Sequence, residues 1–273
     1  MFLTRALSGI VLVIIALATI LAGDWVLLAT LLLISLVAIF ELTKVSQVHT
    51  DGKRINWLEL AICAGTVAYY AVMYFVKDFT ALCMVIMATV IVTMVVYVFA
   101  FPKYHATQTM ASIFSFLYAP VMLSFVYMVR MLDHGVYLVW IIFLASWISD
   151  TCAYLVGITI GKHKYLPKLS PKKSIEGSIG GILGSALLGW LFGHFLLEGV
   201  VEMPNITWIL VLICAVGSVI SQIGDLAASA IKRNYEIKDY GKLIPGHGGI
   251  MDRFDSVIFT APIIYFLCYY LIH

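Results

Sequence analysis

Charge is what this sequence has least of. Asp, Glu, Lys and Arg make up 12% of its 273 residues, whereas 62% are hydrophobic and the mean hydropathy is +1.01. A soluble domain is nearer one quarter charged, so this composition excludes an ordinary soluble protein and indicates an integral membrane protein. Clustered cysteine is absent too. Cys63, Cys83, Cys152, Cys214 and Cys268 stand singly in apolar stretches, with no C-x-x-C pair. They read as small buried hydrophobes rather than a disulfide framework or thiolate metal site. The seven histidines are scattered, and only His247 has polar company. No G-x-x-x-x-G-K-[ST] run occurs, which excludes a P-loop enzyme. There is no internal repeat and no low-complexity tract.

Long apolar runs are what the chain has instead. A membrane helix needs roughly 20 apolar residues. Nine runs approach that length: Leu7–Ala22, Trp25–Phe40, Leu58–Val76, Thr80–Phe101, Ala111–Val129, Val136–Ile160, Ser178–Leu197, Trp208–Ile231 and Phe254–Ile272. The first two are short and close together, as in a tilted hairpin. The expected fold is therefore all-α: a polytopic integral membrane protein of about nine transmembrane helices. With the N-terminus inside, the inner segments carry fifteen Lys and Arg residues and the outer ones only Lys77 and Arg130. This asymmetry predicts an inside N-terminus and an outside C-terminus. Arg5 before an apolar run resembles a secretory signal. A retained first helix is expected instead, because removing it would leave an even number of spans and displace the basic loops. The halves differ in character, with a scaffold of five spans over residues 1–135 and a catalytic region of four spans with basic loops over 136–273.

Polar residues interrupt the second half. Asp150 and Ser146 are four residues apart, on one helical face inside an apolar run. An ionised side chain there costs roughly 3 kcal/mol on insertion scales unless paired or hydrated. Asp150 is thus either functional or hydrogen-bonded to a neighbouring helix. Asp225, Ser229, Lys232 and Arg233 fall on one stripe, with offsets of four, seven and eight. The two basic residues alone could be topology anchors, but Asp225 beneath them favours a site. The loop holding Ser170-Pro-Lys172-Lys173-Ser174 before Glu176-Gly177 either meets anionic headgroups or binds a phosphate at a helix N-terminus. Gly177, Gly181, Gly180, Gly184, Gly189 and Gly193 form small-xxx-small pairs, which indicate close helix packing, internal or at a dimer interface.

The densest stretch is Ser229–Asp255, with five basic residues, four acids and four glycines between two apolar runs. Gly246-His247-Gly248-Gly249 allows close backbone approach to a ligand. Asp252 and Asp255, with Arg253 between them, suit a hard cation such as Mg²⁺, held by one or two carboxylates plus substrate phosphates. The chemistry implied is Mg²⁺-dependent transfer involving a phosphorylated lipid or a nucleotide.

The same stretch, Ser229-x-Ile-Lys232-Arg233-x4-Lys238-Asp239-x-Gly241-x2-Leu243-Ile244-Pro245-x-His247-Gly248-Gly249-Ile250-x-Asp252-Arg253-Phe254-Asp255, resembles the signature of the phosphatidate cytidylyltransferases, or CDP-diacylglycerol synthases. Ser146–Asp150 and Ser170–Gly177 resemble further family segments. The resemblance implies transfer of CMP from CTP to phosphatidic acid, giving CDP-diacylglycerol and pyrophosphate. It implies that Asp225 and Asp252 hold Mg²⁺, leaving Asp150, Asp239 and Asp255 open as ligands of a second cation, supporting partners or caps. Catalytic positions implied are Asp225, Asp252, Lys232, Arg233 and Lys238. Substrate-binding positions implied are Ser170, Lys172, Lys173, Ser174, Ser229, Lys242, His247, Gly248, Gly249 and Arg253. The implied partners are CTP, phosphatidic acid, the bilayer and a second copy in a homodimer; nucleic acid is not among them. The implied location is the bacterial inner membrane, with the site facing the cytoplasm. A CTP-dependent lipid kinase would use similar metal chemistry. A transporter with Asp150 and Asp225 as coupling acids leaves the Lys/Gly/Asp loop unexplained.

Overall fold

The computed structural model of the chain describes residues 2–48 and 56–272, with side chains from Ser8 onward. Lys53 and Arg54, counted among the inner basic residues, lie outside the described residues, as does the side chain of Arg5. Among the described residues the regular structure is helical, with two isolated β-bridges and no strand. In chain order the helices are α1 (Phe2–Ala22), α2 (Asp24–Val45), α3 (Trp57–Phe75) and α4 (Phe79–Phe99). There follow α5 (Ala106–Arg130), α6 (Gly135–Thr159), α7 (Ile175–Leu197), α8 (Ile206–Asn234) and α9 (Met251–Leu271). The eight from α2 to α9 are long and apolar enough to cross a membrane; the described apolar part of α1, Ser8–Ala22, is shorter.

Local chemistry sets the helix boundaries. Gly23 alone separates α1 from α2, at a φ of 63° that a side chain would strain. Asn56 begins α3 with a reciprocal cap: its side chain accepts the Glu59 N–H, and Glu59 accepts the Asn56 N–H. Asp78 caps α4 through the Ala81 N–H at 2.8 Å, and Ser174 caps α7 through the Gly177 N–H at 3.2 Å. Three helices contain a π-turn, at Leu117–Val121, Leu144–Ile148 and Gly193–Leu197. Pro120 lies inside the first, where its missing N–H breaks the ordinary ladder. At the second, the Ser185 hydroxyl reaches the Leu144 carbonyl at 3.2 Å, so a backbone acceptor inside an apolar helix gains a partner.

The chain forms two compact units. The first comprises residues 1–124 and 239–252, the second residues 125–238 and 253–273. In the first, Ile39, Ile62 and Phe116 form one buried cluster and Val48, Leu58 and Tyr104 another. Buried polar groups tie its helices together. Thr43 donates to Glu59 at 2.6 Å, and the Ser35 and Tyr70 hydroxyls lie 2.9 Å apart.

In the second unit the glycines of α7 let neighbouring helices approach closely. A Cβ at Gly177 or Gly181 would meet the backbone of α6 at Ala153 or Ser149. One at Gly189 or Gly193 would meet α8 at Cys214 or Thr207. The small-residue pattern is thus used for packing inside the chain. Ser149 and Ser218 hydroxyls, 2.6 Å apart, add a buried tie between α6 and α8.

Candidate functional site

Each unit holds a group of charged side chains that its apolar surroundings make costly unless compensated. In the second unit the group is built on Asp225 of α8. Lys173, from the loop before α7, places Nζ 2.7 Å from Asp225 Oδ2 and 3.4 Å from the Gln222 carbonyl. The two side chains are 20% and 29% exposed, so water screens the pair only in part. Asp150 of α6 faces Asp225, Lys173, Arg253 and the Ser256 side chain. Asp255 of α9 is buried and faces Asp225, Asp150 and Lys232. Three carboxyl groups from three helices therefore converge with two lysines and one arginine. Neighbouring carboxyl groups share a site when cations stand among them or when one of them keeps its proton.

Gly224 makes the convergence geometrically feasible. A Cβ there would lie 2.9 Å from the Asp255 carbonyl oxygen and 2.9 Å from Phe259 Cβ. The missing side chain lets the backbone of α9 approach α8 beside Asp225. One turn earlier, the Ser221 hydroxyl is buried and has no hydrogen-bond partner among the described residues. The loop of residues 161–174 is more open. Lys172 is exposed, and its carbonyl accepts from Lys164 Nζ at 2.9 Å. The Ser170 carbonyl accepts the Lys173 N–H, while Ser174 is buried as the helix cap. Ser229 is half-buried one turn beyond Asp225. Arg233 and Lys238 are exposed, with Arg233 Nη1 donating to the Ile237 carbonyl at 3.4 Å.

The second group lies in the first unit, on the loop of residues 239–252. Asp252 Oδ2 accepts two backbone N–H groups, from Tyr240 at 2.8 Å and Gly249 at 3.0 Å. Gly248, at a φ of +86°, turns the chain against that carboxylate. Ser8 of α1 donates to the Pro245 carbonyl at 3.1 Å, and its Oγ lies 2.7 Å from His247 Nδ1. Glu41 of α2, only 8% exposed, accepts the Ile250 N–H at 3.0 Å and the Met251 N–H at 2.8 Å. Lys242 is exposed.

Of the residues singled out from the sequence, the second unit brings together Asp150, Lys173, Asp225, Lys232, Arg253 and Asp255. The first unit brings together His247, Gly248, Gly249 and Asp252. Sequence inspection missed Glu41, Ser8, Gly224 and Ser256. Glu41 had a usable signal, as an acid at the end of an apolar run.

The donors suit a hard divalent cation: carboxylates, an orphaned hydroxyl and no thiolate. Among the described residues no three His, Cys, Asp or Glu side chains form a group that could hold a metal ion alone. Mg²⁺ typically takes one or two carboxylates and completes its coordination with phosphate oxygens and water.

Comparison with known proteins gives a profile described as the cytidylyltransferase family, which matches residues 3–271. The chain is 37% identical over 142 residues to the phosphatidate cytidylyltransferase of Staphylococcus epidermidis, covering 52% of this chain and 53% of that one. It is 39% identical over 140 residues to the phosphatidate cytidylyltransferase of Bacillus subtilis, covering 51% and 50%. For the protein of that name from Staphylococcus aureus the identity is 35% over 142 residues, covering 52% and 53%. The chain spans about half the length of these relatives.

Proposed function

Because the chain belongs to the cytidylyltransferase family, we propose that it transfers the CMP moiety of CTP to phosphatidic acid, forming CDP-diacylglycerol and pyrophosphate. The observation that carries this proposal is the carboxylate–lysine cluster around Asp225, built on apolar helices where unpaired charge is costly. An oxygen of the phosphatidate phosphate attacks the α-phosphorus of CTP, and the bond from that phosphorus to the β-phosphate bridging oxygen breaks. Phosphatidate is largely ionised near neutral pH, so no general base is required. Catalysis then rests on positioning and charge neutralisation.

In this scheme Lys173 and Lys232 neutralise phosphate oxygens, and their carboxylate partners hold each ammonium in place. Asp225 is the proposed Mg²⁺ ligand in the second unit, and Asp252 has the same proposed role on the loop of the first. Asp150 and Asp255 are available for a second cation. Bound Mg²⁺ would neutralise the CTP phosphates and the pyrophosphate leaving group. The excess of basic residues in alternate loops supports a cytoplasm-facing site in a bacterial inner membrane, on the side where CTP is found.

The test is an assay of purified protein with Mg²⁺, CTP and phosphatidic acid in mixed micelles. CDP-diacylglycerol and pyrophosphate are the expected products, lost on chelation of Mg²⁺ and restored by its return. Formation of CDP with a phosphorylated lipid would instead identify a kinase and refute the proposal.

A further inference from the structure

Glu41 is a buried acid that the proposed chemistry does not use. It sits near the C-terminal end of α2, where the helix's own carbonyl ends repel negative charge. A carboxylate in such a place needs external donors, and it has them 209 and 210 residues away in sequence. Oε1 accepts from Ile250 N–H and Oε2 from Met251 N–H. The fit around the carboxylate is close on two further sides. A Cβ at either Gly241 or Gly249 would collide with it. Neither glycine has a positive φ, so space rather than backbone conformation excludes a side chain there. Asp252 takes the adjacent N–H groups of Tyr240 and Gly249. Two carboxylates thus hold four backbone donors of one loop, and only one belongs to that loop.

We infer that Glu41 is a positioning residue for the reaction: it fixes the backbone of residues 241–251 and thereby the placement of Asp252 and His247. The inference rests on the proposed cytidylyl transfer for its catalytic consequence, but not for its structural one. Substitution Glu41→Gln keeps the size of the side chain and leaves one acceptor for two donors. One backbone N–H is then unsatisfied, and its amide amine faces a donor it cannot pair with. Losing one charge-assisted hydrogen bond corresponds to roughly a tenfold or larger change.

The experiment uses the full chain in detergent micelles, as wild type, Glu41→Gln, Glu41→Ala, Gly249→Ala and the Glu41→Ala/Gly249→Ala pair. Amide hydrogen exchange at Ile250 and Met251 is measured with no substrate, and kcat and KM for CTP are measured separately. Expected for Glu41→Gln is exchange about tenfold faster at those two amides, a fall in thermal stability, and kcat/KM about tenfold lower. Gly249→Ala should behave similarly. In the double variant the added methyl fills space left by the carboxylate, so its loss should be clearly less than the product of the two single losses. Unchanged exchange at Ile250 and Met251 would overturn the inference, as would faster exchange with unaltered kcat/KM, or strictly multiplicative losses. If the wild type makes no CDP-diacylglycerol, cytidylyl transfer fails, while the exchange measurement still decides whether Glu41 holds the loop.

Discussion

The glycine beside the central aspartate offers a sharp perturbation. In Gly224→Ala the new Cβ would stand 2.9 Å from the Asp255 carbonyl oxygen, against 3.4–4 Å for ordinary contact. The opposing atom is backbone, so no rotamer change relieves the clash. The two helices must separate locally by 3.4 minus 2.9, or about 0.5 Å. Overpacking of this kind costs roughly 1–3 kcal/mol in stability. A misplacement of about 1 Å costs roughly 10²-fold in rate, so half that distance predicts about a tenfold fall in kcat. Gly217→Ala is the matched comparison. Its Cβ would meet the Ala145 and Ile264 side chains, each at 2.8 Å, two turns away on the same helix. It should destabilise comparably while sparing kcat. Thermal unfolding in detergent and initial rates of CDP-diacylglycerol formation read the two effects separately. Wild-type kcat in Gly224→Ala would refute the claim that α8–α9 approach sets the carboxylate geometry. Equal losses of kcat in both variants would refute it too.

Lys173→Met removes the cation 2.7 Å from Asp225 while keeping much of the side chain's apolar bulk. Because the pair is only 20% and 29% exposed, losing the ammonium leaves Asp225 largely uncompensated, so stability should fall by roughly 1–3 kcal/mol, short of the roughly 3–5 kcal/mol of a fully buried broken pair, and kcat/KM for CTP should fall at least tenfold; thermal unfolding and steady-state kinetics at saturating Mg²⁺ decide this. Asp252→Asn separates two roles of one side chain. Its amide oxygen can still accept the Tyr240 and Gly249 N–H groups, so exchange at those amides should hold while turnover falls by about 10²-fold or more. Near-normal turnover would leave Asp252 as a loop anchor without a charge role.

The helical architecture was legible because each bilayer-length run is predominantly apolar, which needs no long-range information. Eight described helices overlie eight of the expected runs to within a few residues at most ends. The ends that differ are those where polar residues continue a helix: α2 runs on through Glu41 and Lys44 to Val45, beyond the apolar stretch. Asp225, Lys232 and Asp150 were legible because charge is conspicuous on an apolar helix. That Lys173 rather than Lys172 pairs with Asp225 was not, since neighbouring lysines in a loop have the same chemistry until the backbone aims them. The π-turn at Leu144–Ile148 leaves no periodic trace over five residues. Glu41 escaped because its partners are more than two hundred residues away and are backbone groups, which carry no side-chain signal.

The assignment of residues 239–252 to the same compact unit as α1 and α2 bears on how such a chain can be recombined. The boundary between the units is crossed three times, after residues 124, 238 and 252. No single crossover between two related genes exchanges one unit cleanly. A crossover between the halves would carry over the whole charged signature yet leave Glu41 and Ser8 with the other parent. Inheritance of the signature is therefore tied to inheritance of the first two helices, and chimeras that keep α1, α2 and the loop from one parent should be the viable ones.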